Sequence, residues 1–295
     1  MRKGVIDLGT NTFNLLIADV ADHDFQIVHT EKSGVALGMG GINRSIIVSD
    51  AIDRALHALC HFKKVCDQYT VQSIRAIGTS AIRDASNAAE FSELVKKETG
   101  IPIEIVSGKQ EAELIYHGVK CTYQFTIPAV IMDIGGGSTE FIFADQKGIR
   151  DLVSLNIGVS RIFQEFVFNN PMTDADISVV EEWLEKQANG FFDQKEEDCL
   201  IGASGSFETF YELIYSTPFP ASTNAVELNT DLLLDSLDKI ICSTQQERDE
   251  NEWIIPIRKK MAPIAAIKTR WIIRKLKSTK ILISPYSLKE GALMT

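Results

Sequence analysis

The chain has 295 residues, of which 45% are hydrophobic and 24% are charged, and its formal net charge is −10. This length is sufficient for two domains with separate cores, and the acidic balance argues against a protein that binds nucleic acid through general electrostatic attraction. No apolar run reaches the ~18 residues of a membrane span, and five scattered cysteines favour free thiols in a reducing cytoplasm over a disulfide or zinc role.

The first half of the sequence predicts a strand meander followed by alternating helices and strands. Runs of alternating or β-branched apolar residues predict strands, and apolar residues with a period of 3.6 predict helices. The predicted strands are 3–8, 12–20, 25–31, 73–78 and 101–107, and the predicted helices are 49–69, 87–97 and 107–117. Capping boxes are expected at Asn87 with Glu90 and at Ser107 with Gln110.

The second half repeats this order of elements. Strands are predicted at 127–133, 139–145, 149–156, 198–202 and 281–284, and helices after Thr173, after residue 206 and at 229–242, 261–277 and 287–295. Two successive strand meanders, each followed by alternating helices and strands, predict an α/β fold with two ribonuclease-H-like halves.

A thirteen-residue segment of the first half recurs 126 positions later. Asp7–Asp19 reads DLGTNTFNLLIAD and Asp133–Asp145 reads DIGGGSTEFIFAD, with Asp, Gly, Ala and the final Asp in register. Each copy predicts a strand, a tight polar turn and a second strand, and such turns can point backbone N–H groups at an anion. The repeat therefore indicates a duplicated domain with two phosphate-binding hairpins that face each other across a cleft.

The second turn is the stronger candidate site, because its glycines permit close approach of the backbone to a phosphate. Asp133 and Glu140 flank this turn, and Mg²⁺ prefers carboxylate oxygens together with substrate phosphates. The candidate phosphate ligands are Gly135, Gly136, Gly137, Ser138 and Thr139 in this hairpin and Thr10, Asn11 and Thr12 in the first. Asp7 is an additional candidate metal ligand, although ordinary turn chemistry would also explain the first hairpin.

Several segments together resemble the successive signatures of the exopolyphosphatase and guanosine pentaphosphate phosphohydrolase (Ppx/GppA) family, in its short two-domain form. They are VIDLGTNTFNLLIADV, AIGTSAIRDASN, IEIVSGKQEAELIYHGV, VIMDIGGGSTEFIF, IGASGSFETF and ISPYSLKEGAL, in this order. That family belongs to the actin, sugar-kinase and Hsp70 superfamily. The resemblance implies two actin-like domains, 1–124 and 125–295, with an interdomain cleft and a last helix that is a candidate to pack back on the first domain.

The resemblance also implies an activity, namely removal of the terminal phosphate of inorganic polyphosphate by water with Mg²⁺ or Mn²⁺ as cofactor. It identifies Glu111 as the general base, and a carboxylate beside other carboxylates and a polyanion would bind protons more tightly. Arg83 matches the family's phosphate-binding arginine, although an ion pair with Asp84 is the alternative. The GASGS turn adds three candidate substrate contacts, namely Ser204, Gly205 and Ser206.

Two segments depart from the family pattern. Ala36 stands where the family often has arginine, and Lys260-Met261-Ala262 replaces a run that often reads Arg-Ala-Asp. The segment 258–280 is rich in basic residues and contains no acidic residue. It is either a path for a polyanion or the solvated face of one or two helices.

Two other functions compete with an exopolyphosphatase. The first is hydrolysis of the 5′-phosphate of guanosine pentaphosphate (pppGpp), which would share the same site. The second is an actin-like nucleotide-binding switch without polyphosphatase activity, and the GASGS turn is the one sequence feature that favours it. The expected partners are inorganic polyphosphate or pppGpp, with no nucleic acid and no membrane. The resemblance also makes a homodimer a candidate assembly for this chain.

Overall fold

The computed structural model describes residues 1–21, 24–203 and 205–295. The strands are β1 (Arg2–Leu8), β2 (Phe13–Ala21), β3 (Asp24–Ser33), β4 (Ser73–Gly78), β5 (Ile103–Ile105), β6 (Ala129–Ile134), β7 (Thr139–Asp145), β8 (Gly148–Leu155), β9 (Cys199–Gly202), β10 (Val226–Leu228) and β11 (Lys280–Ile283). The helices are α1 (Ser49–Gln68), α2 (Ser80–Arg83), α3 (Ala88–Thr99), α4 (Gly108–Lys120), α5 (Val159–Glu165), α6 (Asp174–Ala188), α7 (Gly205–Tyr215), α8 (Thr230–Ile241), α9 (Gln245–Glu250), α10 (Ala262–Leu276) and α11 (Leu288–Met294).

The two sheets share one topology. The first has the order β3-β2-β1-β4-β5, and the second has the order β8-β7-β6-β9-β11 with β10 added at its edge. A β-bulge interrupts the β2–β3 pairing between Ile17 and Ala18, and another interrupts β7–β8 between Phe143 and Ala144, at the positions that the 126-residue repeat relates. The duplication therefore extends beyond the two turns, and the predicted α/β fold with two ribonuclease-H-like halves is confirmed.

Helices α4 and α11 lie between the two sheets. Their apolar side chains share one buried core with residues of the first sheet, such as Val5 and Leu16, and of the second sheet, such as Ile131. The two helices cross so closely that a Cβ added at Gly118 would lie 1.9 Å from the carbonyl oxygen of Ser287. Helix α11 also contacts β1 and β2. Each sheet buries its other face in a separate core against its own helices.

Most predicted elements are present, and the differences have local causes. The capping box predicted at Ser107 forms, and the structure has another at Thr173, where α6 was predicted to begin. The predicted box at Asn87 is wrong, because the Asn87 side chain instead exchanges two 2.9 Å hydrogen bonds with the backbone of Ile47. Four short elements, α2, α5, α9 and β10, were not predicted, since at three to seven residues they are too short to show a periodic pattern.

The basic segment 258–280 mostly carries ion-paired side chains. Arg270, Lys275 and Lys277 pair with acidic residues of α6, α8 and the loop before β9. This arrangement agrees with a solvated helix face, whereas Arg258 and Lys268 of the same segment point inward. Over the described ranges, no helix combines the length and apolar character needed to cross a membrane.

Candidate active site

The two repeated turns touch each other between the sheets. A Cβ added at Gly136 would lie 2.9 Å from the side-chain nitrogen of Asn11, and one added at Gly137 would lie 2.7 Å from the hydroxyl of Thr10. Beside this contact is a cavity of about 460 Å³. Its walls include the candidate phosphate ligands Thr10, Asn11, Thr12, Gly135, Gly136, Gly137 and Ser138.

Each turn is held from behind through its carbonyl groups. The carbonyl oxygens of Thr10 and Asn11 accept hydrogen bonds from the N–H groups of residues 38 and 36, at 3.0 and 2.8 Å. The carbonyl oxygens of residues 135–137 accept from the N–H groups of residues 158–160, at 2.8 to 3.2 Å. Within the described ranges, no residue accepts a hydrogen bond from the N–H groups of residues 10–12 or 136–138. Both turns can therefore offer backbone donors to an anion.

Three carboxylates stand at the bases of the turns. Asp7 and Asp133 occupy equivalent positions in β1 and β6, and Glu140 is the ladder partner of Asp133. These side chains accept hydrogen bonds from neighbouring residues: Asp7 from Asn14 at 3.1 Å, Asp133 from Ser287 at 2.5 Å and Glu140 from Ser154 at 2.7 Å. These contacts leave each carboxylate with further lone pairs.

Enclosure and mutual repulsion make these carboxylates bind protons more tightly. Burial raises the pKa of Asp7 to about 6, against the opposing charge of Lys289. Burial, together with the charges of Glu111 and Asp7, raises the pKa of Asp133 to about 7 despite the hydroxyl of Ser287. Burial and the charge of Asp133 raise the pKa of Glu140 to about 7. A cluster of carboxylates that repel one another in this way attracts a cation.

Glu111 lies in the first turn of α4, which the Ser107 capping box fixes at the cavity wall. Its side chain is buried and accepts a 2.7 Å hydrogen bond from Nη1 of Arg83. Burial and the charge of Glu140 raise the pKa of Glu111 well above its usual value, although Arg83 opposes the shift. Arg83 itself borders a second, shallower pocket that also contains Ser154. Its connection to the main cavity is indirect and consists of its hydrogen bond to Glu111.

Two cations of the cavity wall were not singled out from the sequence. Lys289 of α11 pairs with Glu290 at 2.8 Å, and although burial lowers its pKa, the nearby acids raise it above the usual value. Arg258 is enclosed against Gly205 and donates a 2.8 Å hydrogen bond to Thr209. The signature SLKEGAL contains Lys289 and the basic segment contains Arg258, so both had a sequence signal that did not specify a role.

Two of the residues that depart from the family pattern lie at the cavity, and Ala36 lies behind the first turn. Met261 and Ala262 line the cavity, and the sulfur of Met261 lies 3.4 Å from the hydroxyl of Ser160. The backbone N–H of Ala36 donates a hydrogen bond to the first turn. Any residue except proline could make this hydrogen bond. The φ of Ala36, +50°, is an uncommon conformation for a residue with a side chain.

The remaining candidate ligands have different positions. Gly205 and Ser206 line the cavity at the start of α7, whereas Ser204 lies outside the described residues. Thr139 is fully buried beneath the second turn, where its hydroxyl contacts the ammonium group of Lys268. Lys268 also donates a 2.6 Å hydrogen bond to the carbonyl oxygen of Ile157. Burial lowers the pKa of Lys268 to about 7, against the charges of Glu140 and Asp133.

The carboxylates of the cavity are of the ligand type that hard divalent cations take. In the described part of the chain, no group of three Asp, Glu, His or Cys side chains already has the geometry to hold a metal ion. Mg²⁺ usually keeps several waters and takes only one or two protein carboxylates together with phosphate oxygens. Asp133 and Glu140 satisfy that requirement, with Asp7 close enough to affect the pKa of Asp133.

The sequence profile of the Ppx/GppA phosphatase family matches residues 16–295. The chain is 33% identical over 220 residues to a bifunctional 3-dehydroquinate synthase/phosphatase of Fusobacterium nucleatum, a match that covers 70% of this chain and 33% of that protein. The chain therefore spans about a third of the length of that relative. It is 25% identical over 302 residues to exopolyphosphatase 1 of Mycobacterium leprae, covering 100% of this chain and 89% of that protein.

Solved structures agree with these sequence matches. An exopolyphosphatase from Cytophaga hutchinsonii superposes with a TM-score of 0.95 and 33% identity, over 99% of this chain and 96% of that chain. The PPX-GPPA enzyme of Aquifex aeolicus superposes with a TM-score of 0.82 and 26% identity, over 100% and 99% of the two chains.

Proposed function

The chain belongs to the Ppx/GppA phosphatase family and is a hydrolase of phosphoanhydride bonds, and we propose that it is an exopolyphosphatase. Its substrate in this proposal is inorganic polyphosphate, from which water removes the terminal phosphate. The five cysteines are free, which supports a reducing cytoplasm as its location.

One observation carries the choice of substrate class. Two turns with anchored carbonyl groups and free N–H groups face one cavity, which also contains Arg258 and Lys289. Backbone donors of this kind bind phosphate oxygens without discriminating what the phosphate is attached to. The two cations offset the charge of a second and third phosphate further along the chain. This arrangement fits the end of a polyanion better than it fits a neutral substrate.

The proposed reaction uses Glu111 as the general base. The carboxylate accepts a proton from a water molecule while the water oxygen forms a bond to the terminal phosphorus. The bridging P–O bond breaks on the opposite side, and its electron pair leaves with the shortened chain. The raised pKa of Glu111 makes it a stronger base than a solvent-exposed glutamate, while the hydrogen bond from Arg83 keeps its orientation.

Mg²⁺ or Mn²⁺ fits this scheme as the cofactor. Asp133 and Glu140 would hold the ion together with substrate oxygens, and Asp7 is the additional candidate. When bound, the ion neutralises the charge of the phosphate oxygens. The backbone donors of residues 10–12 and 136–138 orient the terminal phosphate, and in phosphoryl transfer such positioning and charge neutralisation supply most of the rate enhancement.

A second candidate substrate is pppGpp, and one feature favours it. The cavity has an apolar wall next to Arg258 that inorganic polyphosphate does not require. This wall consists of Phe210, Ile255, Pro256, Ile257 and Met261. Apolar and aromatic side chains of this kind can cover the flat face of a base.

The test measures phosphate release by the purified protein with Mg²⁺ from polyphosphates of defined length, with pppGpp and ATP as comparators. Release from polyphosphate, at least about tenfold faster than from pppGpp and ATP, would support the exopolyphosphatase. Preferential release from pppGpp would assign the nucleotide as substrate. If none of the substrates is hydrolysed but ATP raises the melting temperature, the chain is instead a nucleotide-binding switch.

A further inference from the structure

A chain of charged side chains connects the second half of the molecule to Glu111. Arg161 of α5 forms an ion pair with Oδ2 of Asp84, the residue that follows α2. Oδ1 of the same carboxylate lies 3.5 Å from Nε of Arg83. Nη1 of Arg83 in turn lies 2.7 Å from Glu111. Asp84 thus uses one oxygen for each arginine and connects them.

Arg161 also contacts the second phosphate turn. Its Nε donates a 2.8 Å hydrogen bond to the carbonyl oxygen of Gly137. Nη1 donates to the carbonyl oxygen of Ile42 at 3.2 Å, and Nη2 lies 3.3 Å from the hydroxyl of Ser80. Every guanidinium nitrogen therefore has an acceptor, and these acceptors belong to both halves of the molecule. The full set can form only while the second turn lies against the first half.

Other residues of α5 also connect the second half of the molecule to the first turn. Gln164 accepts a 2.7 Å hydrogen bond from the N–H of Gly40 and donates one of 3.1 Å to the carbonyl oxygen of Gly38. Gly38 is one of the residues that support the first turn from behind. Ser160 donates a 2.6 Å hydrogen bond to the side chain of Asn11 in that turn. Helix α5 therefore contacts both turns, and Arg161 is its only side chain that also contacts Asp84 among those the structure describes.

We propose that Asp84 and Arg161 are positioning residues which make the orientation of Glu111 depend on contact between the two phosphate turns. This inference rests on the proposed role of Glu111 as general base. If the turns separate, Arg161 leaves Asp84, and the whole carboxylate becomes available to Arg83. Arg83 then shifts toward Asp84, its hydrogen bond to Glu111 weakens, and Glu111 loses its fixed orientation. Hydrolysis is thereby restricted to the closed cleft, which protects the site from unproductive encounters.

The test compares Arg161→Met, Arg161→Lys, Asp84→Asn and the double variant Arg161→Met with Asp84→Asn, in phosphate release from polyphosphate. We expect each of Arg161→Met and Asp84→Asn to lower kcat by at least ~10-fold while KM changes by less than ~3-fold. The double variant should lose no more than the more damaged single variant, because both changes break one connection. Arg161→Lys should recover part of the loss, since an ammonium group can still pair with Asp84.

The matched control is the pair Arg2 and Asp19, an Arg–Asp ion pair of 2.8 Å that joins β1 and β2 away from the cavity. Arg2→Met and Asp19→Asn should leave kcat unchanged. Melting temperatures identify a variant that merely unfolds. The inference would be overturned by kcat values within about twofold of wild type for both single variants, or by losses that multiply in the double variant.

Small-angle X-ray scattering tests the dependence on closure without turnover. We expect the Arg161→Met variant to have a larger radius of gyration than wild type, and an unchanged radius would overturn the closure part of the inference. If the wild-type protein hydrolyses none of the substrates, the proposed function fails, and the scattering experiment still decides whether Arg161 holds the two halves together.

Discussion

Nη1 of Arg83 lies 2.7 Å from Oε2 of Glu111, so the proposed general base is in contact with a cation. The two residues come from different helices, α2 and α4, which the sequence separates by 28 positions. Burial and the charge of Glu140 favour the protonated form of Glu111, whereas the guanidinium of Arg83 favours the charged form. Glu111 is therefore poised between two opposing effects, as a group that accepts and releases a proton requires.

Glu111→Gln should lower the rate of phosphate release by ~10² or more, because the amide cannot accept a proton from water. The measurement is the initial rate with polyphosphate and Mg²⁺ at saturating substrate. Glu113→Gln on the same helix is the matched control, since the side chain of Glu113 is 42% exposed and pairs with Lys109 at 3.9 Å. A rate for Glu111→Gln within about threefold of wild type would exclude Glu111 as the base.

The metal-free protein should become less stable as the pH rises from 5 to 7. The pKa values of Asp7, Asp133 and Glu140 are raised to about 6 or 7, so the folded protein retains protons that the unfolded chain has already released near pH 4. Their stabilising contribution is therefore complete below pH 4 and is lost as the pH passes through 6 and 7. A tenfold difference in proton affinity between the folded and unfolded states corresponds to about 1.4 kcal/mol.

This pH dependence is measured as the melting temperature in excess chelator. Combined Asp133→Asn and Glu140→Gln should flatten the curve, and added Mg²⁺ should raise the melting temperature more at pH 7.5 than at pH 5. The prediction would be contradicted if the melting temperature in the chelator rose between pH 5 and 7 with the same dependence on pH in wild type and in the double variant.

Lys268 should have the opposite effect at higher pH. Its pKa in the folded protein is about 7, so between pH 7 and about 10 the unfolded chain binds a proton that the folded protein lacks. Stability from this residue is therefore present above pH 10 and is lost as the pH falls to 7. Lys268→Met should be more stable than wild type at pH 7, and the difference should shrink by pH 9. Urea unfolding at the two pH values measures this, and parallel curves would refute the low pKa.

Arg258→Met should raise KM for polyphosphate by ~10-fold and change kcat less, since the guanidinium is placed to bind phosphates beyond the reacting one. Arg274→Met is the matched control, because Arg274 belongs to the same basic segment but is 62% exposed and lies 4.0 Å from Glu181. Equal changes in KM for the two variants would instead assign the effect to the overall charge of the segment.

Gly137→Ala should lower kcat by ~10² without a comparable loss of stability. The added Cβ would lie 2.5 Å from the hydroxyl of Ser80 and 2.7 Å from that of Thr10, so the second turn could no longer approach the first. Gly4→Ala in β1 is the control, since its Cβ would come no closer than 3.3 Å to a side chain. Full activity of Gly137→Ala would show that the turns need not touch during turnover.

Local sequence patterns were sufficient for most of the fold. The repeat of Asp7–Asp19 at Asp133–Asp145 predicted two equivalent hairpins, and even the β-bulge recurs at equivalent positions. Such patterns succeed because turn chemistry and strand alternation depend on near neighbours in the chain. Asn87 shows where they fail: a residue with a good capping sequence binds the backbone of Ile47, forty positions away, because that partner is available in the folded protein.

The site, like the fold, could be predicted from the sequence only in part. The residue types in the two turns, and the carboxylates beside them, follow from the sequence, because these groups are neighbours along the chain. The sequence alone did not reveal that Arg161 contacts Asp84, that Lys268 lies beneath Thr139, or that Arg258 and Lys289 share the cavity. The first two contacts join residues 77 and 129 positions apart, and the raised pKa values depend on how completely packing removes water from the carboxylates. Only the packing of the two sheets around α4 and α11 determines these contacts and these pKa values.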